Sequence, residues 1–277
     1  MMKILEAALA LGFGLLAGLS FAAGETLNRT IRHDGKERSF RLTVPKFSDE
    51  RALPLVIGLH YYPGSGRGFE TLTGFSDLAE REGFLVAYPD GLNDAFNALM
   101  CCGSEDDVGF IRAVIAEVAR EHKVDRDRIY ATGISNGGDM TYRLAAELPG
   151  VFAAVAPVSG GMTQDWMGKP SGNLPAKPVS LISFIGKRDR YAEMFIAGTE
   201  FWRDKLKCGI TVAAIENDAA QLRKGTCADG SSVQIYVLPD MGHAWPGGTG
   251  ASSLAYPAAP FKATEIIWNF FRDNPRK

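Results

Sequence analysis

Residues 130–140 read YATGISNGGDM, and their reading decides the fold. The apolar stretch Arg128 to Thr132 predicts a strand. Asn136 to Glu147 has the composition of a helix and is stopped by Pro149-Gly150. Between them, Gly133-Ile-Ser-Asn-Gly137 places Ser135 on the turn. Two roles fit a serine at this point. It can cap the helix through its hydroxyl, a common role. It can instead sit on a strained strand-to-helix turn that exposes the hydroxyl as a nucleophile.

The segments on either side repeat the strand-then-helix order. Strands are expected at 39–44, 53–59, 84–88, 128–132, 151–158, 178–185 and 232–238. Helices are expected at 69–81, 106–121, 136–147, 191–206 and 261–272. Leu53-Pro-Leu-Val-Ile-Gly-Leu59 is a nearly continuous apolar run, as in a strand buried on both faces. The alternation predicts an α/β fold, a mostly parallel central sheet with helices on both faces. Residues 161–177 form the one mid-chain insertion, too short for a large lid domain. The expected organisation is a signal peptide at 1–22 and one catalytic domain at 23–277.

The N-terminus carries the signal pattern. Lys3 supplies the positive start, Ala7 to Phe21 the apolar stretch, and Ser20-Phe21-Ala22 a cleavage site before Ala23. Glu6 is the one departure. The apolar stretch is shorter than the roughly 20 residues that cross a bilayer, so no stable membrane insertion is expected after cleavage. A secreted or periplasmic location follows. The net charge of −2 and pI of about 6.1 give no basic surface for nucleic acid. Four cysteines suit an oxidising compartment and allow three full pairings. Cys208 and Cys227 bound one polar-rich excursion and are the favoured pair. Such a link contributes on the order of 3 kcal/mol by restricting the unfolded chain. Cys101 and Cys102 are adjacent, and both the bonded and the reduced state remain open. No His or further Cys stands at zinc spacing around them, so no metal site is read.

A nucleophilic serine needs a base, and the base needs an acid to orient it. In the α/β-hydrolase chain order these follow as acid, then histidine. Of the four histidines, His243 lies in the loop after the last expected strand, where the base belongs. His33 and His122 lie away from the expected strand ends, and His60 suits a structural or oxyanion-loop role. Asp189, in Gly186-Lys-Arg-Asp-Arg190, follows the strand ending at Ile185 and is the expected acid. Asp240 competes, but it lies on the histidine's own loop. The backbone N–H of Asn136 and one from the loop after Leu59 would form the oxyanion hole. Tyr62 is favoured there over Tyr61. Tyr61, Phe96, Trp166 and Trp245 are candidates for the substrate pocket. Core packing is the commoner fate of such rings.

These residues carry a family resemblance. The loop at His60, YPDG at 88–91, CCG at 101–103, DDVGFI at 106–111, GISNGG at 133–138, GKRD at 186–189 and GHAWPG at 242–247 occur in this order. In them the chain resembles the secreted esterases that comprise feruloyl esterases, acetyl xylan esterases and poly(3-hydroxybutyrate) depolymerase catalytic domains. The resemblance implies the α/β-hydrolase fold, Ser135 as nucleophile, Asp189 as acid and His243 as base. It also implies a Cys208–Cys227 disulfide and a structural role for the acids of DDVGFI. Tyr61 stands where the family's oxyanion loop has glycine, Phe96-Asn97 where it has Trp-Asn, and Ala244 where a hydroxyl residue is common.

The expected activity is serine carboxylester hydrolysis, which requires no metal or organic cofactor. The expected substrate is an ester, foremost a hydroxycinnamate on plant polysaccharide. An acetylated xylan or a 3-hydroxybutyrate polymer or oligomer is the alternative. A catalytically silent carbohydrate-binding protein is the alternative outside enzymes.

Overall fold

A computed structural model of the chain describes residues 25–46, 51–99, 101–162, 174–215 and 219–276. The expected signal peptide, Trp166 and most of the 161–177 insertion lie outside the described residues. Strands β1 (Glu25–His33) and β2 (Lys36–Val44) form a hairpin. It turns through Asp34 and Gly35, both at positive φ, 48° and 73°, the backbone that a tight hairpin turn requires. Then follow β3 (Leu53–Leu59), α1 (Gly66–Thr73), α2 (Phe75–Glu82) and β4 (Leu85–Pro89). Next come α3 (Asp107–Glu121), β5 (Val124–Ile134), α4 (Asn136–Glu147) and β6 (Ala154–Val158). The remainder is β7 (Ser180–Gly186), α5 (Ala192–Lys205), β8 (Gly209–Ile215), β9 (Ala220–Thr226), β10 (Ser232–Leu238) and α6 (Ala263–Asp273).

These ten strands form one sheet in the order β1-β2-β4-β3-β5-β6-β7-β10-β9-β8, and the two-residue strands Trp245–Pro246 and Ala255–Tyr256 pair separately in the loops before α6. The run from β4 to β10 is parallel, and antiparallel pairs flank it on both sides. Central strands are buried on both faces because their side chains alternate between two cores. Leu55, Ile57 and Leu59 of β3 join the core under α3, α4 and α5. Val56 joins the one under α1, α2 and α6. Each fully buried Leu or Ile contributes roughly 1.5–3 kcal/mol. Among the described residues there is no large inserted lid domain, and no helix is long and apolar enough to cross a membrane.

Three features differ from the sequence reading. The expected helix over 69–81 is two helices, broken at Gly74, whose left-handed φ of 66° ends α1 and begins α2. β1 has no strong apolar alternation, being an edge strand. β8 and β9 form a further hairpin between Cys208 and Cys227, which are disulfide-bonded as expected. Cys101 and Cys102 are also bonded to each other.

The acids of DDVGFI serve structure. Asp106 caps α3, accepting from the Gly109 N–H at 2.9 Å. Asp107 is buried, pairs with Arg38 at 2.5 Å and accepts from the Asn97 N–H at 2.6 Å. The Arg38 guanidinium lies 3.8 Å from the Phe110 ring centroid.

Candidate active site

The turn after β5 carries Ser135 without using it as a helix cap. Its backbone sits at φ 58° and ψ −123°, and its side chain makes no capping hydrogen bond. A residue at such a φ costs on the order of 1–3 kcal/mol, which the surroundings must impose. Backbone contacts impose it here. A Cβ on Gly137 would lie 2.2 Å from the Leu59 carbonyl oxygen and 2.6 Å from that of His60. Only glycine lets the start of α4 sit against the end of β3. The Ser135 N–H donates to the Val158 carbonyl at 3.1 Å, tying the turn to β6 as well.

Asn136 follows and is buried. Its Oδ1 accepts from the Phe96 N–H at 2.8 Å. Its Nδ2 donates to the carbonyls of Phe96 and Cys101 at 3.0 and 3.1 Å. The side chain thus clamps the loop that carries the vicinal disulfide, while its own backbone N–H begins the helix. Sequence reasoning gave Asn136 only a backbone role and missed the clamp.

His60 is stitched into the loop after β3. Its Nε2 accepts from the Gly91 N–H at 2.9 Å, so Nδ1 carries the proton and donates to the Tyr61 carbonyl at 2.7 Å. Burial lowers its pKa and keeps the ring neutral. The ring leans on Phe96 with centroids 4.4 Å apart. This neutral histidine fixes the Tyr61-Tyr62 segment.

The acid and base loops meet at the end of β7. Gly186 is required because a Cβ there would lie 2.3 Å from the Gly242 carbonyl oxygen. The Arg188 N–H donates to the Met241 carbonyl at 2.9 Å. These contacts bring Asp189 against His243, whose Nδ1–H donates to Asp189 Oδ2 at 2.6 Å. Asp189 Oδ1 accepts from the Tyr191 N–H at 3.0 Å. The pairing leaves Nε2 of His243 as the acceptor. Asp240, the competing carboxylate, instead pairs with Arg188 at the surface. Ser159, at the end of β6, holds the histidine loop from behind. Its Oγ donates to the Ala244 carbonyl at 3.2 Å and accepts from the Ala244 N–H at 3.3 Å.

Ser135, Asn136, Asp189 and His243 line one cavity of about 660 Å³ with Tyr61, Tyr62, Tyr191 and the two bonded cysteines. Tyr62 is 53% exposed at its rim. Phe96 and Trp245 do not line it, contrary to the sequence expectation. Both are fully buried. Trp245 packs edge-on to Phe69 and Phe75, and its indole N–H donates to Thr264 at 3.1 Å. Ser159 and Tyr191 were not singled out as site residues in the sequence because their neighbours come from distant loops.

A serine on a positive-φ strand-to-helix turn shares a cavity at parallel strand ends with a histidine–aspartate pair, an arrangement consistent with a serine-hydrolase site on an α/β-hydrolase fold. Residues 38–166 match the family Esterase PHB depolymerase. Over that stretch the chain is similar to esterases that include feruloyl esterases and poly(3-hydroxyalkanoate) depolymerases. It is 34% identical over 149 residues to feruloyl esterase B of Piromyces equi, covering 52% of this chain and 27% of that protein. It is 32% identical over 116 residues to poly(3-hydroxyalkanoate) depolymerase C of Paucimonas lemoignei, covering 39% and 28% of the two. The chain therefore spans little more than a quarter of these two relatives. In fold it is similar to an acetyl xylan esterase from Aspergillus awamori, with TM-score 0.66 and 15% identity over 89% of this chain and 99% of that one.

Proposed function

We propose that the protein is a serine carboxylester hydrolase in which Ser135 attacks, His243 is the base and Asp189 orients it. One observation carries the reading: the uncapped Ser135 turn and the 2.6 Å His243–Asp189 pair share one cavity. His243 Nε2 takes the Ser135 proton as Oγ bonds to the ester carbonyl carbon. The backbone N–H groups of Asn136 and Tyr62 donate to the resulting oxyanion. His243 then returns the proton to the departing alcohol, leaving an acyl group on Ser135. A water, deprotonated by His243, attacks that acyl group, and the acid departs as His243 returns the proton to the Ser135 Oγ.

Within this chemistry the favoured substrate is an ester of an aromatic acid, such as a ferulate on plant polysaccharide. Tyr61, Tyr62 and Tyr191 on the cavity wall support it, as does the similarity to a feruloyl esterase. A 3-hydroxyalkanoate oligomer is the second reading, supported by the similarity to a depolymerase. The N-terminal signal pattern and the bonded cysteines support a secreted or periplasmic location.

Purified mature protein and Ser135→Ala are compared on methyl ferulate, 4-nitrophenyl acetate, acetylated xylan and 3-hydroxybutyrate oligomers. Serine-dependent turnover is expected, fastest on ferulate. A preference for acetate or hydroxybutyrate keeps the mechanism and rejects the aromatic ranking. No serine-dependent turnover, with no fluorophosphonate labelling of Ser135, overturns the hydrolase reading in favour of carbohydrate binding alone.

A further inference from the structure

One buried ionisable group on the cavity wall has no part in the chemistry above. Asp139 lies one helical turn beyond Ser135 on α4, and its N–H donates to the Ser135 carbonyl at 2.9 Å. Its residue exposure is 3%, yet it lines the same cavity as Ser135 and His243. Oδ1 accepts from the Gly161 N–H at 2.7 Å. That contact is built into the backbone: a Cβ on Gly160 would lie 2.7 Å from the Gly138 Cα, so the chain after β6 rests directly on the start of α4. Among the described residues, Oδ2 has no hydrogen-bond partner and no lysine or arginine pairs with the carboxyl. The charged groups Arg188, Asp189, Arg190 and His243 share the cavity without bonding to it.

A purely structural role accounts for half of this side chain. Accepting one hydrogen bond from Gly161 needs neither a charge nor a second oxygen. An amide would do it without the cost of burying an ionisable group. The second oxygen is left for what enters the cavity.

We propose that Asp139 is a specificity-determining residue whose free carboxyl oxygen hydrogen-bonds a hydroxyl group of the ester substrate. The inference rests on the hydrolase reading above and adds a substrate class to it, esters that carry a hydroxyl beside the reacting carbonyl or on an aromatic ring. Burial pushes this carboxyl up to about 7. Near neutral pH it is therefore present in both forms, one accepting from a hydroxyl and the other donating to it. A site built to bond a hydroxyl discriminates strongly against the analogue lacking it, because its polar group is then left unpaired.

The test compares kcat/KM of the wild type, Asp139→Asn and Asp139→Leu on matched esters. Methyl 3-hydroxybutyrate is set against methyl butyrate, and methyl 4-hydroxycinnamate against methyl cinnamate, so the two pairs distinguish an aliphatic from a phenolic hydroxyl. In the wild type the hydroxylated member of one pair is expected to be favoured by tenfold or more (an order-of-magnitude figure for a lost polar contact). Asp139→Leu should bring that ratio to within about threefold of unity. Asp139→Asn keeps the Gly161 contact through its oxygen and presents only an NH2 group to the cavity, so its ratio should fall between the two. An unchanged ratio in both variants, or equal losses on both members of each pair, overturns the role for Asp139. If Asp139→Leu loses its cooperative melt, the isosteric Asn variant decides by the same ratio. Turnover of 4-nitrophenyl acetate by the wild type but not by Ser135→Ala separates failure of this inference from failure of the hydrolase reading.

Discussion

Asp189→Asn tests how the base is held. The side chain is fully buried, and its two oxygens have separate partners. Oδ1 accepts from the Tyr191 N–H at 3.0 Å, and Oδ2 accepts from His243 Nδ1–H at 2.6 Å. An asparagine must keep its oxygen toward the Tyr191 N–H, since its NH2 group there would set donor against donor. The NH2 group then faces Nδ1 of His243 and donates to it. That forces the imidazole proton onto Nε2, the nitrogen required to accept from Ser135. The change is isosteric, so the fold persists while the base holds the wrong tautomer. Loss of the orienting carboxylate in a serine triad lowers kcat by about 10⁴-fold, or roughly 5 kcal/mol of barrier. Turnover of 4-nitrophenyl acetate, followed spectrophotometrically beside a thermal melt, measures it. The expected result is a loss of about four orders of magnitude with the melting temperature nearly unchanged. Asp240→Asn is the control. It alters a surface pair with Arg188, and surface pairs contribute about 0–1 kcal/mol. Activity of Asp189→Asn within about tenfold of wild type, in a folded protein, would refute the tautomer argument and the placing of the acid on this loop.

Three further outcomes follow from the same contacts. Asn136→Ala keeps the backbone N–H but removes hydrogen bonds to Phe96 and Cys101, so urea denaturation should show a loss of about 3 kcal/mol, near 1 kcal/mol for each bond. Arg38→Ala strands the buried Asp107, and the same assay should show a loss of about 3–5 kcal/mol. Asp139 gives a pH signature. Its folded pKa is raised from an ordinary 3.8 to about 7, so between those values the folded state holds the proton more tightly than the unfolded chain. Stability therefore falls as pH rises from about 4 to 7, by on the order of 4 kcal/mol at about 1.4 kcal/mol per pH unit. Denaturation of Asp139→Asn across that range should lack this fall, and parallel profiles for the two proteins would refute the buried carboxyl's contribution.

The parallel sheet was legible because its strands read as short apolar runs, as at Leu53–Leu59, or as alternating segments, as at Ser232–Leu238, between turn residues. Of the flanking hairpins only the strand at 39–44 was read. β8 is largely exposed, with Val212 at 60%, so its apolar residues mark no core-facing periodicity. Gly74 was hidden inside a helical pattern because glycine is tolerated there, and only its left-handed φ divides α1 from α2. At the candidate site, Ser135, Asp189 and His243 were singled out because each follows a recognisable strand in a fixed chain order, and the three line one cavity. Proximity in sequence misled for the aromatics. Trp245 is two residues from His243, yet it points into the core beneath α1 and α2, because neighbouring loop residues need not share a direction. Asp139 was passed over for the opposite reason. An acid in the first turn of a helix already has a satisfactory role against the helix dipole, and its cavity exposure depends on where the chain after β6 lies.

The backbone contacts divide the site into parts that tolerate change and parts that do not. Gly137 against Leu59 and Gly186 against Gly242 are contacts of main chain on main chain, with no side chain free to give way. They set the spacing between the turn of Ser135, the loop of Tyr61 and Tyr62, and the loops of Asp189 and His243. A methyl group at either glycine would have to push a strand end away from the helix start or loop packed against it, disturbing the site and the sheet together. Tyr62 and Tyr191 stand on the cavity wall outside those contacts, and so does the free oxygen of Asp139. Substrate choice can therefore change through these side chains while the reacting groups stay in place. Variants that alter ester preference with little loss of stability belong at Tyr62, Asp139 and Tyr191, and variants at the glycines should lose turnover on every ester alike.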